Sequence, residues 1–143
     1  MGTTAKSLKL ELQQFEMAAP TEFGTTFSAM AKGRVDAILV STDTLYQANA
    51  RAIADLAAKQ RLPSVGAREF AEAGGLIGYG VNDAEQYRRG AYFVDRILKG
   101  AHPGDIPIER PTRFELVTNM KTAKALGIKI PQSILNRADR VID

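Results

Sequence analysis

Leu8, Leu10 and Leu12 alternate with Lys9 and Glu11. A period of two marks a chain with one face in a core, so the pattern predicts a half-buried strand from residue 8 to about residue 17. Pro20-Thr21-Glu22 then opens a helix with Phe23, Phe27, Met30 and Ala31 on one face, closed by Gly33. Val35-Asp36-Ala37-Ile38-Leu39-Val40 follows as an apolar run between turn signals. That is the pattern of a strand covered on both faces of a parallel sheet.

Asp43 stands where a helix cap would, ahead of an apolar stripe of Leu45, Ala48, Ala52, Ile53 and Leu56. The stripe predicts a helix to about residue 60. Residues 62–65 read as a short strand entered through Pro63, and 68–73 as one or two helical turns. Gly74-Gly75 breaks those turns, and 76–81 is a glycine-rich strand. Asn82 and Glu85 have capping-box spacing and start a long helix to residue 99, with Tyr87, Ala91, Val94 and Leu98 aligned. A Pro/Gly-rich loop spans 100–107, and Phe114, Leu116 and Thr118 alternate as a strand. Asn119 caps a short helix ended by Gly127, and a last helix carries Ile134, Leu135, Ala138 and Val141. Strands alternate with helices, which predicts an α/β fold with an open, mostly parallel sheet and right-handed crossovers.

With 143 residues, 45% of them hydrophobic and 24% charged, the chain has the size and balance of one globular domain. It has no cysteine, which excludes disulfides, thiolate nucleophiles and Cys-based zinc sites. The formal charge of +3 does not point to nucleic acid, because the basic residues are scattered and their one adjacent pair, Arg88-Arg89, has no aromatic platform beside it. No apolar run approaches the ~20 residues that span a bilayer. Nor does Met1-Gly2-Thr3-Thr4-Ala5-Lys6 lead into the apolar core of a signal peptide, and the start reads as a cut.

The candidate chemistry begins where the 35–40 strand stops in Ser41-Thr42-Asp43-Thr44. Ligands of open α/β sheets sit beyond the carboxyl ends of the strands, where helix N-termini present free N–H groups. Asp43 in that position could pair with a ligand ammonium, or it could simply cap the helix. Tyr79 lies between Gly78 and Gly80, where an aromatic ring can stack on a ligand or be an ordinary half-buried side chain. His102 is the one histidine, so no His-based triad or His-rich metal site is available. Asp36 and Asp43 fall at opposite ends of one strand, which argues against a phosphoacceptor cluster. No nucleophile elbow or phosphate-binding loop is present.

Several runs, in fixed order, resemble the substrate-binding proteins of ABC transporters, in the group that includes tryptophan/tyrosine-type binding proteins. They are Phe70-Ala71-Glu72-Ala73-Gly74-Gly75-Leu76-Ile77-Gly78-Tyr79-Gly80-Val81, Tyr92-Phe93-Val94-Asp95-Arg96-Ile97-Leu98-Lys99-Gly100-Ala101, and Phe114-Glu115-Leu116-Val117-Thr118-Asn119 before Lys121-Thr122-Ala123-Lys124-Ala125-Leu126-Gly127. The resemblance implies a type I periplasmic-binding-protein (flavodoxin-like) lobe, incomplete, with no enzymatic activity and no cofactor. It divides the chain into 5–81, the second lobe without its first strand; 82–111, a helix and loop that pack on the first lobe; and 112–143, a crossing strand and helices returning to the second lobe. It places Ser41, Thr42, Asp43 and Thr44 at an inter-lobe ligand cleft, Gly66 and Arg68 at the next strand-end loop, and Tyr79 on a hinge-crossing strand. Asp43 would take the ammonium of an amino-acid-like solute and Arg68 a carboxylate. The implied partners are the solute and a membrane permease, in the periplasm or otherwise outside the cytoplasm. Without the first lobe, the 82–99 stripe should find another surface, such as a homodimer that exchanges this helix. A stand-alone flavodoxin-like enzyme or signalling domain, or a soluble ligand sensor, is the alternative reading of the same pattern.

Overall fold

A computed structural model describes residues 2–143, which form two compact units, one ending at Val35 and the other spanning Asp36–Asp143. In the first unit, α1 (Gly2–Ser7) leads into an irregular stretch, and a 3-10 turn at Pro20–Glu22 opens α2 (Phe23–Lys32). Phe23, Phe27 and Met30 are the buried face of α2, as their spacing predicts. The strand expected over 8–17 does not form. Leu8, Leu10 and Leu12 are all more than half exposed, and the Leu10 N–H turns back to the Ala5 carbonyl at 2.9 Å. Alternation supplies a face, but a strand also needs a neighbour for its backbone groups, and no described strand pairs with this segment.

The second unit holds a five-stranded sheet in the order β1 (Ile38–Leu39), β2 (Ser64–Gly66), β3 (Ile77–Gly80), β4 (Glu115–Asn119), β5 (Arg140–Ile142). The first three strands are parallel; β4 runs antiparallel to β3, and β5 is parallel to β4. Between β1 and β2 the chain forms α3 (Thr44–Ala48) and α4 (Ala50–Lys59). The single helix expected here is broken at Asn49, whose backbone leaves the helical region (φ −115°) while its side-chain amide donates to the Leu45 carbonyl at 2.8 Å. α5 (Arg68–Glu72) joins β2 to β3. Ile53, Ala54, Ala57, Phe70, Ala71 and Val117 are core residues of this unit.

α6 (Asp83–Leu98) starts under an Asn82 cap that accepts the Glu85 N–H, as the spacing predicts, and none of its residues is buried. After β4, α7 (Met120–Leu126) ends at Gly127, whose φ of 71° is the left-handed conformation that glycine adopts without a Cβ clash. Leu76, Ala123 and Ile130 form a core cluster with Ile134 and Leu135 packed against it. The last helix is a correction. α8 (Gln132–Leu135) is a single turn, and Val141 lies in β5 instead. Asp139 fixes this outcome: its carboxylate accepts the Leu116 N–H and its own N–H donates to the Leu116 carbonyl. The β-branched Val141 and Ile142 then pair with β4.

Candidate functional site

The carboxyl ends of β1, β2 and β3 lie side by side because the three strands are parallel and consecutive. At the end of β1, Ser41, Thr42, Asp43 and Thr44 are all exposed. The Asp43 carboxylate accepts the Leu45 N–H at 2.8 Å and so caps α3. Capping uses one carboxylate oxygen in this bond and leaves the residue at the surface, so the two roles open to Asp43 are compatible.

At the end of β2, Gly66 is buried against Phe70; a Cβ there would stand 2.7 Å from the ring. The next turn presses on β3. A Cβ on Gly78 would stand 2.2 Å from the Arg68 carbonyl oxygen, so Gly78 is what lets α5 begin where it does. The glycines around Tyr79 thus make room for the chain's own backbone. Tyr79 points to the other face of the sheet, by the pleat, and stacks on Phe114 with centroids 5.8 Å apart and planes 18° from parallel. Both rings stay about half exposed, at 56% and 51%.

Arg68 sits among carboxylates. Its Nε donates to Glu115 at 2.6 Å, and one terminal nitrogen lies 3.2 Å from Glu69 and 3.4 Å from Glu72. Glu115 is nearly buried and also accepts from the Asn82 amide at 3.4 Å. Arg140 reaches Glu72 at 2.6 Å, and Arg113 comes within 3.8 Å of Glu115. The Arg68 hydrogen bond is the main reason that Glu115 titrates below the usual carboxylate range, and the same bond raises Arg68. Arg113 also lies 3.9 Å from Glu85, so three arginines face four glutamates and each carboxylate has a guanidinium beside it.

The structure therefore brings Ser41–Thr44 and Gly66 to one set of strand ends. Arg68 follows at the start of α5, and Tyr79 lies on the opposite face of the sheet. Sequence reasoning missed Phe114, Glu115 and Asn82. Glu115 did leave a signal, because by period two it shares a face with Val117, which is fully buried. A carboxylate on a core face needs a partner. Among the described residues no group of three or more His, Cys, Asp or Glu is placed to hold a metal ion, and no helix is long and apolar enough to cross a membrane.

Over residues 1–142 the sequence matches the family described as ABC transporter substrate binding protein, and the chain belongs to that family. A curated tyrosine-binding protein of Clostridioides difficile is 24% identical over 127 residues, which make up 87% of this chain and 36% of that protein. A solved ABC domain of Streptococcus pneumoniae in complex with L-Trp superposes with a TM-score of 0.87 at 27% identity, covering 98% of this chain and 49% of that one. A conserved domain protein of Vibrio cholerae O1 biovar El Tor gives a TM-score of 0.89 at 23% identity, over 98% and 47% of the two chains, and shares the fold. The chain spans 36% of the length of its curated relative and 47% and 49% of these two solved chains.

Proposed function

We propose that this chain is one face of a solute-binding cleft in the substrate-binding component of an ABC importer, and that the solute is amino-acid-like. The observation that carries the reading is the exposed Ser41–Thr44 segment at the strand ends of a chain whose family binds substrates. The tyrosine-binding relative and the L-Trp-bound neighbour support an amino acid as the solute. In this reading Asp43 meets the solute ammonium, Ser41, Thr42 and Thr44 supply hydrogen bonds, and Gly66 contributes its backbone at the second strand end, its missing side chain making room for Phe70 behind it. Arg68 meets a solute carboxylate only by exchanging a glutamate partner, and Tyr79 contributes from the hinge side with Phe114 against it.

Binding proceeds without covalent chemistry and without a cofactor. The protein holding this sequence works outside the cytoplasm, closes around the solute and passes it to a membrane permease. The chain as given pairs with a second copy of itself through α6. Calorimetric titration of the full-length protein with amino acids, aromatic ones first, tests the solute reading beside Asp43→Ala. Binding of one amino acid, weakened at least tenfold by the substitution, is the expected result. Unchanged affinity in the variant would return Asp43 to capping alone.

A further inference from the structure

Residues 81–114 leave the sheet after Gly80 and return at Glu115, and those two residues are direct partners at the end of the β3–β4 ladder. The chain therefore crosses twice at one place, through 80–82 on the way out and through 113–115 on the way back. α6, the main element of the excursion, buries none of its residues against the unit that carries the sheet. The direction in which the excursion leaves is set largely at the two crossings.

Both crossings meet one side chain. Gly80 leaves a gap on the face of the sheet that α5 covers, where a Cβ would stand 4.0 Å from the Arg68 Cβ. Arg68, the first residue of α5, lies over this gap, and its Nε donates to Glu115 on the next strand at 2.6 Å. The other Glu115 oxygen accepts from the Asn82 amide at 3.4 Å, while the Asn82 carbonyl oxygen caps α6 by accepting the Glu85 N–H. Arg68 is also held within its own helix, by Glu69 at 3.2 Å and Glu72 at 3.4 Å. A continuous run of paired groups thus joins α5, the head of β4 and the cap of α6. Only 17% of the Arg68 side chain and 10% of the Glu115 side chain are exposed, so solvent screens the central pair weakly. Turning the excursion moves Glu115 and Asn82 while Arg68 stays with α5. A charge-assisted bond of this length does not survive a shift of an ångström or more.

We propose that Glu115 and Asn82 are positioning residues that set the angle at which residues 81–114 leave the sheet, acting through Arg68 and touching no solute. The bracket narrows the range of angles before any solute arrives. Without it the crossings are freer, and a solute that closes the protein has more disorder to remove and binds more weakly. The effect on affinity rests on the cleft reading above; the effect on the angle does not.

The full-length protein carries the test. Glu115→Gln keeps the shape of the side chain and removes the charge that holds Arg68. Small-angle X-ray scattering of the solute-free protein should give a larger radius of gyration for this variant than for the wild type. Asn82→Ser keeps a capping oxygen but loses the amide, and should move the radius the same way by less. The double variant R68Q/E115Q should match Arg68→Gln alone, because the pair acts as one unit. In calorimetric titration E115Q should weaken an amino acid and its carboxamide analogue by the same factor, roughly fivefold. A residue that only aimed Arg68 at a solute carboxylate would weaken the free amino acid alone. Circular dichroism should show each variant folded. An unchanged radius in both single variants, a double variant wider than Arg68→Gln, or an affinity loss confined to the free amino acid would overturn the proposal. If no amino acid binds the wild type, the cleft reading falls, and scattering still decides the role of the bracket.

Discussion

Glu115 shows how one side chain ties three segments together. It reaches Arg68 at the start of α5 and Asn82 at the cap of α6, from its own place at the head of β4. Replacing it with glutamine removes the charge and leaves Arg68 with weaker partners, so Glu115→Gln is expected to cost about 1–2 kcal/mol near neutral pH. The folded-state value of Glu115 is depressed, so its contribution is full above the unfolded value of ~4.3 and is lost as pH falls through the lower folded value. Urea midpoints of wild type and variant, measured from neutral pH into the acid range, should therefore converge only below the usual carboxylate range. A constant difference at all pH values would remove the ionised pair as the cause. That Glu115 needs a partner was legible from the period, but which groups supply it was hidden because that depends on register: Glu115 faces Gly80 across the β3–β4 ladder, and nothing local specifies that. Asp43 was legible because an apolar strand running into small oxygen-bearing side chains and then a helical stripe is a local signal.

At the scale of elements, periodicity located the helices from α2 to α7 and the strands β1 to β4 to within a few residues, since those segments carry their own face. It failed where two periods compete or where a partner is required. Ile134, Leu135, Ala138 and Val141 fit a helix, yet the Asp139 bonds to Leu116 and the β-branched end draw the last residues into the sheet. Residues 8–17 fit a strand and find no ladder. Hydrogen exchange should accordingly separate the two alternating segments: amides of 11–16 are expected to exchange within seconds, while those of Val117 and Thr118, buried in the β4 ladder, are protected by orders of magnitude. Equal protection in both would show that 8–17 has a partner in solution.

For the whole molecule, the proposed solute site is one-sided. Ser41–Thr44 are exposed and Gly66 is buried behind them, whereas small-ligand sites bury about 70–90% of their ligand. A lone face makes roughly half of those contacts, so the 143-residue chain is expected to bind any solute of the full-length protein at least ~100-fold more weakly than that protein does. Parallel calorimetric titrations of the two measure the ratio, and equal affinities would place the determinants wholly within this chain.

The direct pairing of Gly80 with Glu115 has a kinetic meaning as well. Seen as topology, β3 and β4 are the two arms of a hairpin into which residues 81–114 have been threaded. The arms cannot meet until that stretch has folded back, and closing a flexible loop of this length costs about 3 kcal/mol in chain entropy. The antiparallel junction should therefore be the late event in folding of this sheet, after β1 to β3 have assembled through their shorter crossovers. Replacing 81–114 with a two-residue turn would turn the slowest contact in the sheet into one of its fastest.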